Sequence, residues 1–103
     1  MSNNKHIAVV GGGAAGLMAA GTARRAGCAV TLFEHNKKVG RKLLITGKGR
    51  CNLTNHCTPQ EFLGSVTVNP HFLYSALHRL SPADTMALFE SLGLPLKTER
   101  GQR

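Results

Sequence analysis

The chain has 103 residues, of which 42% are hydrophobic and 17% charged, and its thirteen Lys and Arg residues against five acids give a net charge of +8. This composition is typical of one folded globular domain and excludes an intrinsically disordered chain. The apolar run near the N-terminus is only four residues long, and no stretch approaches the roughly 20 apolar residues of a membrane span, so we expect neither a signal peptide nor a membrane protein. Three cysteines without a disulfide pattern favour the reducing cytoplasm.

The first 34 residues contain the most informative motif. An apolar segment, residues 7–10, leads directly into Gly11, Gly13 and Gly16, which form G-x-G-x-x-G at the start of a helical pattern. This order of strand, glycines and helix is the one a dinucleotide-binding turn requires. The first glycine permits a tight turn, the second lets the backbone approach a pyrophosphate, and the third lets helix and strand pack closely.

The helix and the strand that follow extend the motif. The helix begins with Ala14 and Ala15, so its N–H groups and positive dipole end can face phosphates. Gly27 is expected to end the helix in the left-handed conformation. Glu34 lies 18 residues beyond Gly16, at the tip of the predicted second strand, where a carboxylate can accept hydrogen bonds from an adenosine ribose. A glycine-rich turn that binds nothing is the alternative.

A basic stretch follows Glu34. It contains six of the thirteen basic residues, namely Lys37, Lys38, Arg41, Lys42, Lys48 and Arg50. Their concentration beside a phosphate-binding turn indicates a local anion, and a solvated charged loop is the alternative. Residues 41–46 are compatible with a helical turn or a short strand. Residues 47–55, GKGRCNLTN, predict a structured loop whose small polar groups can grip a flat polar ligand.

Three short amphipathic helices are predicted next. Thr58, Asn69 and Ser81 are each followed by proline, which is a helix-start signal. Residues 94–98 are then a predicted strand and residues 99–101 a turn. Two helices with a tight turn can also read DNA, but the basic residues cluster near the glycines and not on these helices, which argues against that function. A third parallel strand, which a dinucleotide-binding sheet needs, is not evident.

Three segments carry a family resemblance. They read IAVVGGGAAGLMAA, FEHNKKVGRKLLITGKGRCNLTN and LFESLGLPLKTERGQR, and together they resemble the N-terminal part of the BaiN-like, or aminoacetone-oxidase-like, NAD(P)/FAD-dependent oxidoreductases. The most specific part is residues 40–55, which resembles the family's G-R-K-hydrophobic-x-[ST]-G-x-G-R-C-N-x-T-N stretch. Lys48 stands where the family usually has glycine. The resemblance covers essentially the whole chain.

The resemblance implies an α/β fold: a Rossmann-like, FAD-binding βαβ start of the glutathione-reductase type, followed by short helices, with an incomplete sheet. Residues 1–103 would be the N-terminal part of an FAD-binding domain in a longer protein, with residues 1–55 forming the βαβ unit and cofactor loop and residues 56–103 a helical segment and the start of a strand. The longer protein would pass hydride from NAD(P)H through FAD to an organic acceptor. This fragment alone is expected to be inactive.

The resemblance also implies a set of cofactor-binding positions. These are Gly11, Gly13, Ala14, Ala15, Gly16, Glu34, His35, Arg41, Lys42, Gly49, Arg50, Cys51 and Asn52. The expected partner is a small-molecule substrate, with no nucleic acid, membrane or metal. The alternatives are an NAD(H)-binding module of the same fold and a basic nucleic-acid-binding module.

The cysteines offer two further hypotheses. Cys51 invites a redox role, but its nearest partner is Cys57, and C-x5-C is not the usual redox spacing. With His56 these residues also suggest a zinc site, for which a fourth ligand at the usual spacing is missing. No general acid or base can be assigned from the sequence.

Overall fold

The computed structural model describes residues 4–103. The chain divides into two compact units, of which the first ends at Cys51 and the second is Asn52–Arg103. The division falls inside the predicted loop of residues 47–55.

The first unit begins with the predicted β–α–β arrangement. Its elements are β1 (His6–Val10), α1 (Ala14–Arg25) and β2 (Ala29–Phe33). The strands are parallel, and their register pairs His6 with Ala29 and Val10 with Phe33. Parallel neighbours need a crossover connection, which α1 supplies. The sheet of the described residues has these two strands, so the predicted incomplete sheet is confirmed.

The two faces of this sheet differ in burial. Because successive strand side chains point to opposite faces, half-buried Val9 and Leu32 alternate with exposed Val10 and Phe33. A Cβ at Gly16 would lie 3.5 Å from Val9 Cγ1, which shows that α1 covers the half-buried face. Val10 is 87% and Phe33 56% exposed on the opposite face. The first unit therefore leaves an apolar sheet face open.

Helix α1 ends as the sequence predicts. Gly27 has φ 91°, in the left-handed region that favours glycine. Arg24 and Arg25 lie in the last turn, where their charge complements the helix dipole. Arg24 Nη1 also donates to the Cys28 carbonyl at 3.3 Å. Cys28, in the connection from the helix to β2, is buried and only 6% exposed.

Residues 41–46, for which the sequence is compatible with either a helical turn or a short strand, begin with a short helix. This helix, α2, is Arg41–Ile45, and Gly40 precedes it with φ 68°. The chain then turns through residues 47–49, which all have positive φ. The Arg50 N–H donates to the Gly47 carbonyl at 2.9 Å, and the central residues, Lys48 and Gly49, have φ 49° and 83°, as in a type I′ turn.

The second unit contains short helices. They are α3 (Pro59–Gly64), a 3₁₀ helix (Pro70–Leu73), α4 (Tyr74–Arg79) and α5 (Pro82–Ser91). The helix starts predicted at Thr58 and Ser81 are confirmed, and both are complete capping boxes. In each, the cap hydroxyl accepts a backbone N–H and an acid three residues on accepts the cap's own N–H.

The Asn69 helix differs from its prediction. Asn69 has φ 50° and its side chain caps nothing, so a 3₁₀ turn forms first and α4 follows. An N-cap needs an extended backbone, which a left-handed residue does not have. The change of helix type also breaks the 3.6-residue period, and Phe72 in the 3₁₀ helix is 79% exposed.

The strand predicted for residues 94–98 is wrong: the structure assigns no regular element there. Pro95 interrupts the segment and has no N–H to donate to a ladder. The turn after it is present at residues 100–102. It is held by the Asn55 side chain, which donates to the Gly101 carbonyl at 3.0 Å, and by the His56 N–H, which donates to the Gln102 carbonyl at 2.7 Å.

Across residues 4–103, no helix has the length and apolar character needed to cross a membrane.

Candidate functional site

The glycine turn after β1 has the geometry predicted for it. Gly11 has φ 99°, and its N–H donates to the Phe33 carbonyl at 2.8 Å, which joins the turn to the end of β2. A Cβ at Gly16 would lie 1.8 Å from the Gly11 carbonyl oxygen, so only glycine fits there. A Cβ at Gly11 or Gly13 would meet nothing within 4 Å. The turn is therefore closely packed at Gly16 and open at Gly11 and Gly13.

The N-terminus of α1 begins at this open side. Gly13 is its N-cap, and no side chain of the described residues caps it. The Leu17 N–H donates to the Gly13 carbonyl at 2.9 Å, so the N–H groups of Ala14, Ala15 and Gly16 precede the first bond of the helix. No acid lies in the first turn. These groups and the helix dipole form a site suited to an anion.

Gly12 is a site residue that sequence reasoning missed. It is buried, and a Cβ there would lie 2.8 Å from Val39 Cγ1. Its N–H donates to Glu34 Oε1 at 2.8 Å, and its carbonyl accepts from the Gly40 N–H at 2.7 Å. The run of three glycines was the available signal, because the fingerprint needs only the first and third of them.

Glu34 lies beside the glycine turn. Its side chain is 15% exposed, Oε1 accepts from Gly12, and Oε2 accepts from the Asn36 N–H at 2.7 Å. These bonds, the Asn36 N–H first and the Gly12 N–H second, hold the pKa of Glu34 below its usual value. The group is thus a carboxylate at neutral pH. A carboxylate has about four acceptor positions, so two remain for other hydrogen bonds.

His35 follows Glu34 but is largely in solvent. Its Nδ1 lies 3.5 Å from Glu34 Oε2, and its side chain is 90% exposed. A contact with so exposed a partner adds little stability. The structure therefore places His35 next to the turn without fixing its ring.

A basic depression lies just beyond Glu34 in the chain. Its volume is about 360 Å³, and its lining residues are Asn36, Lys37, Lys38, Arg41 and Leu44. Arg41 Nη1 donates to Asn36 Oδ1 at 3.0 Å. Arg41 was a predicted cofactor-binding residue, and Lys37 and Lys38 were part of the basic stretch predicted to face an anion, whereas Asn36 and Leu44 were not predicted. Lys42 is in α2 but not part of this lining.

The sequence matches the model of the HI0933-like protein Rossmann domain over residues 5–103. The chain belongs to this family. The match confirms the Rossmann-like fold, and the relatives below agree with the family predicted from the sequence.

Three relatives illustrate the range of proteins similar to this HI0933-like chain. A ribosomal RNA dihydrouridine synthase of Haemophilus influenzae is 41% identical over 95 residues, which cover 91% of this chain and 23% of that protein. A 3-dehydro-bile acid delta(4,6)-reductase of Clostridium scindens is 36% identical over 97 residues, covering 92% and 23%. A putative flavin-containing monooxygenase, FMO GS-OX-like 11, of Arabidopsis thaliana is 51% identical over 41 residues, covering 40% and 24%. The chain thus spans about a quarter of the length of these relatives.

The charge of this HI0933-like chain is unevenly distributed. Nine of its thirteen Lys and Arg residues, but only one of its five acids, lie at or before Cys51. That acid is Glu34. In the second unit, four basic residues balance four acids. The first unit therefore carries the whole formal net charge, and its potential attracts anions.

The remaining predicted site residues lie around the boundary of the two units. Gly49, Arg50 and Cys51 end the first unit, whereas Asn52 begins the second. Cys51 is exposed and its thiol is free. Within residues 4–103, no three His, Cys, Asp or Glu side chains lie close enough together to hold a metal ion.

Proposed function

We propose that this chain is the FAD-binding N-terminal portion of a flavin-dependent oxidoreductase. The observation that carries the proposal is the Glu34 carboxylate, hydrogen-bonded to the Gly12 N–H at 2.8 Å beside an uncapped helix N-terminus. An acid and a set of N–H groups at this spacing suit the ribose and the diphosphate of one dinucleotide. Relatives named as a reductase and a flavin-containing monooxygenase support a flavin.

Each group of the site has a role in this proposal. The N–H groups of Ala14, Ala15 and Gly16 receive the diphosphate, and the two remaining acceptor positions of Glu34 receive the ribose hydroxyls. An ionised carboxylate also repels a 2′-phosphate, so the site favours FAD or NAD over NADP. Residues 49–52 and Lys42 remain proposed cofactor contacts.

Hydride transfer is the chemistry that FAD supplies when bound. The chain's own residues bind and orient it. We infer NAD(P)H as the hydride donor and an organic small molecule as the acceptor, because the bile-acid relative is named as a reductase. RNA is a second candidate acceptor, since another relative is named as a ribosomal RNA dihydrouridine synthase and the first unit is strongly basic.

Gly13→Ala in the full-length protein tests the proposal. Gly13 has φ −84°, and a Cβ there would meet nothing within 4 Å, so the fold accepts alanine. The added methyl group projects into the open side of the turn, and we expect FAD affinity to fall about tenfold or more, a cost of about 1.4 kcal/mol. FAD is titrated into the apoprotein and followed by flavin fluorescence.

Gly21→Ala is the matched control, because Gly21 is in the same helix and its added Cβ would also meet nothing within 4 Å. Equal FAD affinities for the two variants would contradict the proposal, as would a full-length protein that takes up no FAD. Tighter binding of NAD(H) than of FAD would favour the NAD(H) module instead.

Glu34→Ala, compared with Glu61→Ala, tests the assigned acid. Both remove one carboxylate, but Glu61 serves the capping box of α3. We expect only the first variant to weaken FAD binding.

Reoxidation of the reduced full-length protein by an enone or by ribosomal RNA then separates the two acceptor classes.

A further inference from the structure

A chain of hydrogen bonds links the glycine turn to the basic depression. It runs from the Gly12 N–H to the Glu34 carboxylate, from that carboxylate to the Asn36 N–H, and from Asn36 Oδ1 to Arg41 Nη1. The respective distances are 2.8, 2.7 and 3.0 Å. Asn36 is the residue through which the acid and the guanidinium are connected, and it is half-buried.

The two bonds of Asn36 use different parts of the residue. Its backbone N–H serves Glu34, whereas its side-chain oxygen serves Arg41. Arg41 is exposed, and a long exposed side chain loses rotamer entropy when a ligand fixes it. A hydrogen bond made before the ligand arrives removes part of that cost.

The depression itself suits an anion. Lys37, Lys38 and Arg41 line it together with Asn36 and Leu44, and no acid is part of this lining. A neutral acceptor such as the Asn36 amide can hold a guanidinium without cancelling its charge. The other N–H groups of the guanidinium fork are then available in a fixed orientation for a planar or tetrahedral oxyanion.

We propose that Asn36 is a positioning residue that holds Arg41 for the diphosphate of the bound dinucleotide while its backbone sets the ribose-binding acid. The inference rests on the proposed FAD function and adds to it a residue that acts only through a neighbour. The side chain of Asn36 itself does not contact the cofactor in this role.

A double-mutant cycle on the full-length protein tests the inference. Asn36→Ala removes the whole side-chain amide, which also helps to lower the Glu34 pKa, and leaves the backbone N–H that serves Glu34. We expect Asn36→Ala to weaken FAD binding about fivefold in the wild-type background and less than about twofold when Arg41 is already alanine, because the two residues act as one unit. Asn36→Ala with Lys38→Ala is the control, and these two effects should multiply, since no hydrogen bond of the described residues joins them.

The isosteric variant Asn36→Asp supplies a second readout. It keeps an oxygen that accepts from Arg41, so replacing Arg41 in this background should weaken FAD binding at least as much as in the wild type. If replacing Arg41 weakens FAD binding less in the Asn36→Asp background than in the wild type, the inference is overturned, even if Asn36→Ala does not fold.

The outcomes separate this inference from the function on which it rests. A wild-type protein that binds no FAD overturns both. Tight FAD binding by the wild type together with unchanged binding by Asn36→Ala overturns the positioning role alone, and so does an Asn36→Ala effect that persists undiminished in the Arg41→Ala background.

Discussion

Single atoms decide the geometry of the glycine turn. The Gly16 Cα lies so close to the preceding turn that a methyl group on it would overlap the Gly11 carbonyl oxygen at 1.8 Å and the carbonyl carbon at 2.9 Å. Backbone atoms cannot move aside as a flexible side chain can. The close packing of α1 on β1 therefore depends on the absence of one methyl group.

Gly16→Ala should destabilise the protein by about 3 kcal/mol, because relief of the overlap requires a shift of the helix or of the turn. Gly21→Ala, in the open part of the same helix, should instead stabilise it by about 0.5–1 kcal/mol through helix propensity. Chemical denaturation of both variants measures the two changes. Similar stabilities would show that α1 does not pack as closely as described.

The Glu34 carboxylate makes stability depend on pH. Its pKa is lowered in the folded protein, first by the Asn36 N–H and then by the Gly12 N–H, whereas the unfolded chain has an ordinary value of about 4.3. The unfolded state thus binds more protons in this range. The stabilisation that Glu34 gives to the folded protein is complete above the ordinary glutamate pKa and is lost as pH falls through the lowered pKa of the folded state.

We expect the free energy of unfolding to fall on acidification below the ordinary glutamate pKa, and to fall less in Glu34→Gln. Asp84, whose pKa is lowered by the Ser81 N–H, contributes in the same direction, so the comparison is made in an Asp84→Asn background. Identical pH profiles with and without Glu34 would show that these hydrogen bonds do not form.

At the scale of elements, the turn at residues 47–49 is strained at one position. Gly47 and Gly49 adopt φ 83° without penalty, but Lys48 has φ 49°. A side chain in the left-handed region costs about 1 kcal/mol. The family resemblance predicts glycine at this position, and the structure shows that lysine adopts here the left-handed conformation that favours glycine.

Lys48→Gly should leave stability unchanged or raise it by about 0.5 kcal/mol, because relief of strain exceeds the entropy that glycine adds to the unfolded chain. Gly49→Ala, one residue on, should lower it by about 1 kcal/mol for the converse reason. Thermal unfolding of the two variants measures both. A loss in Lys48→Gly as large as that in Gly49→Ala would argue against the left-handed Lys48.

The elements also show what the sequence could predict. Helix α1 and the capping boxes at Thr58 and Ser81 are local patterns, and hydrogen bonds within or next to each element fulfil them. The strand β1 and the glycine turn were predicted from the order of strand, glycines and helix, although their hydrogen bonds reach β2. The predicted strand at residues 94–98 failed because strands depend on partners distant in sequence. Gly12 was missed for the same reason, since its bond to Glu34 depends on how β1 and β2 align. Asn36 was missed although its bonds are short-range, to Glu34 two residues before it and to Arg41 five residues after it, because no motif marks it.

At the scale of the whole molecule, large apolar side chains are exposed. In the first unit, Val10 and Phe33 lie side by side on the open sheet face, and Leu44 and Ile45 are 74% and 76% exposed. Contiguous apolar surface of this kind, next to unpaired strand edges, promotes association.

The 103-residue chain expressed alone should therefore self-associate, and Val10→Thr with Phe33→Thr should shift it towards the monomer. Light scattering after size-exclusion chromatography measures the mass. The matched control is Val68→Thr with Leu92→Thr, which changes two residues of the second unit that are 81% and 68% exposed. An equal shift in both double variants would mean that the sheet face has no special role.

Gly12 is held from two directions, since its N–H goes to Glu34 and its carbonyl receives the Gly40 N–H. Residues 35–39 therefore connect two residues, Glu34 and Gly40, that are both hydrogen-bonded to Gly12. A single inserted residue would have to bulge outward or else release the acid or the loop. Unlike most surface connections, this segment does not tolerate a change of length, and the number of residues between Glu34 and Gly40 is part of the site.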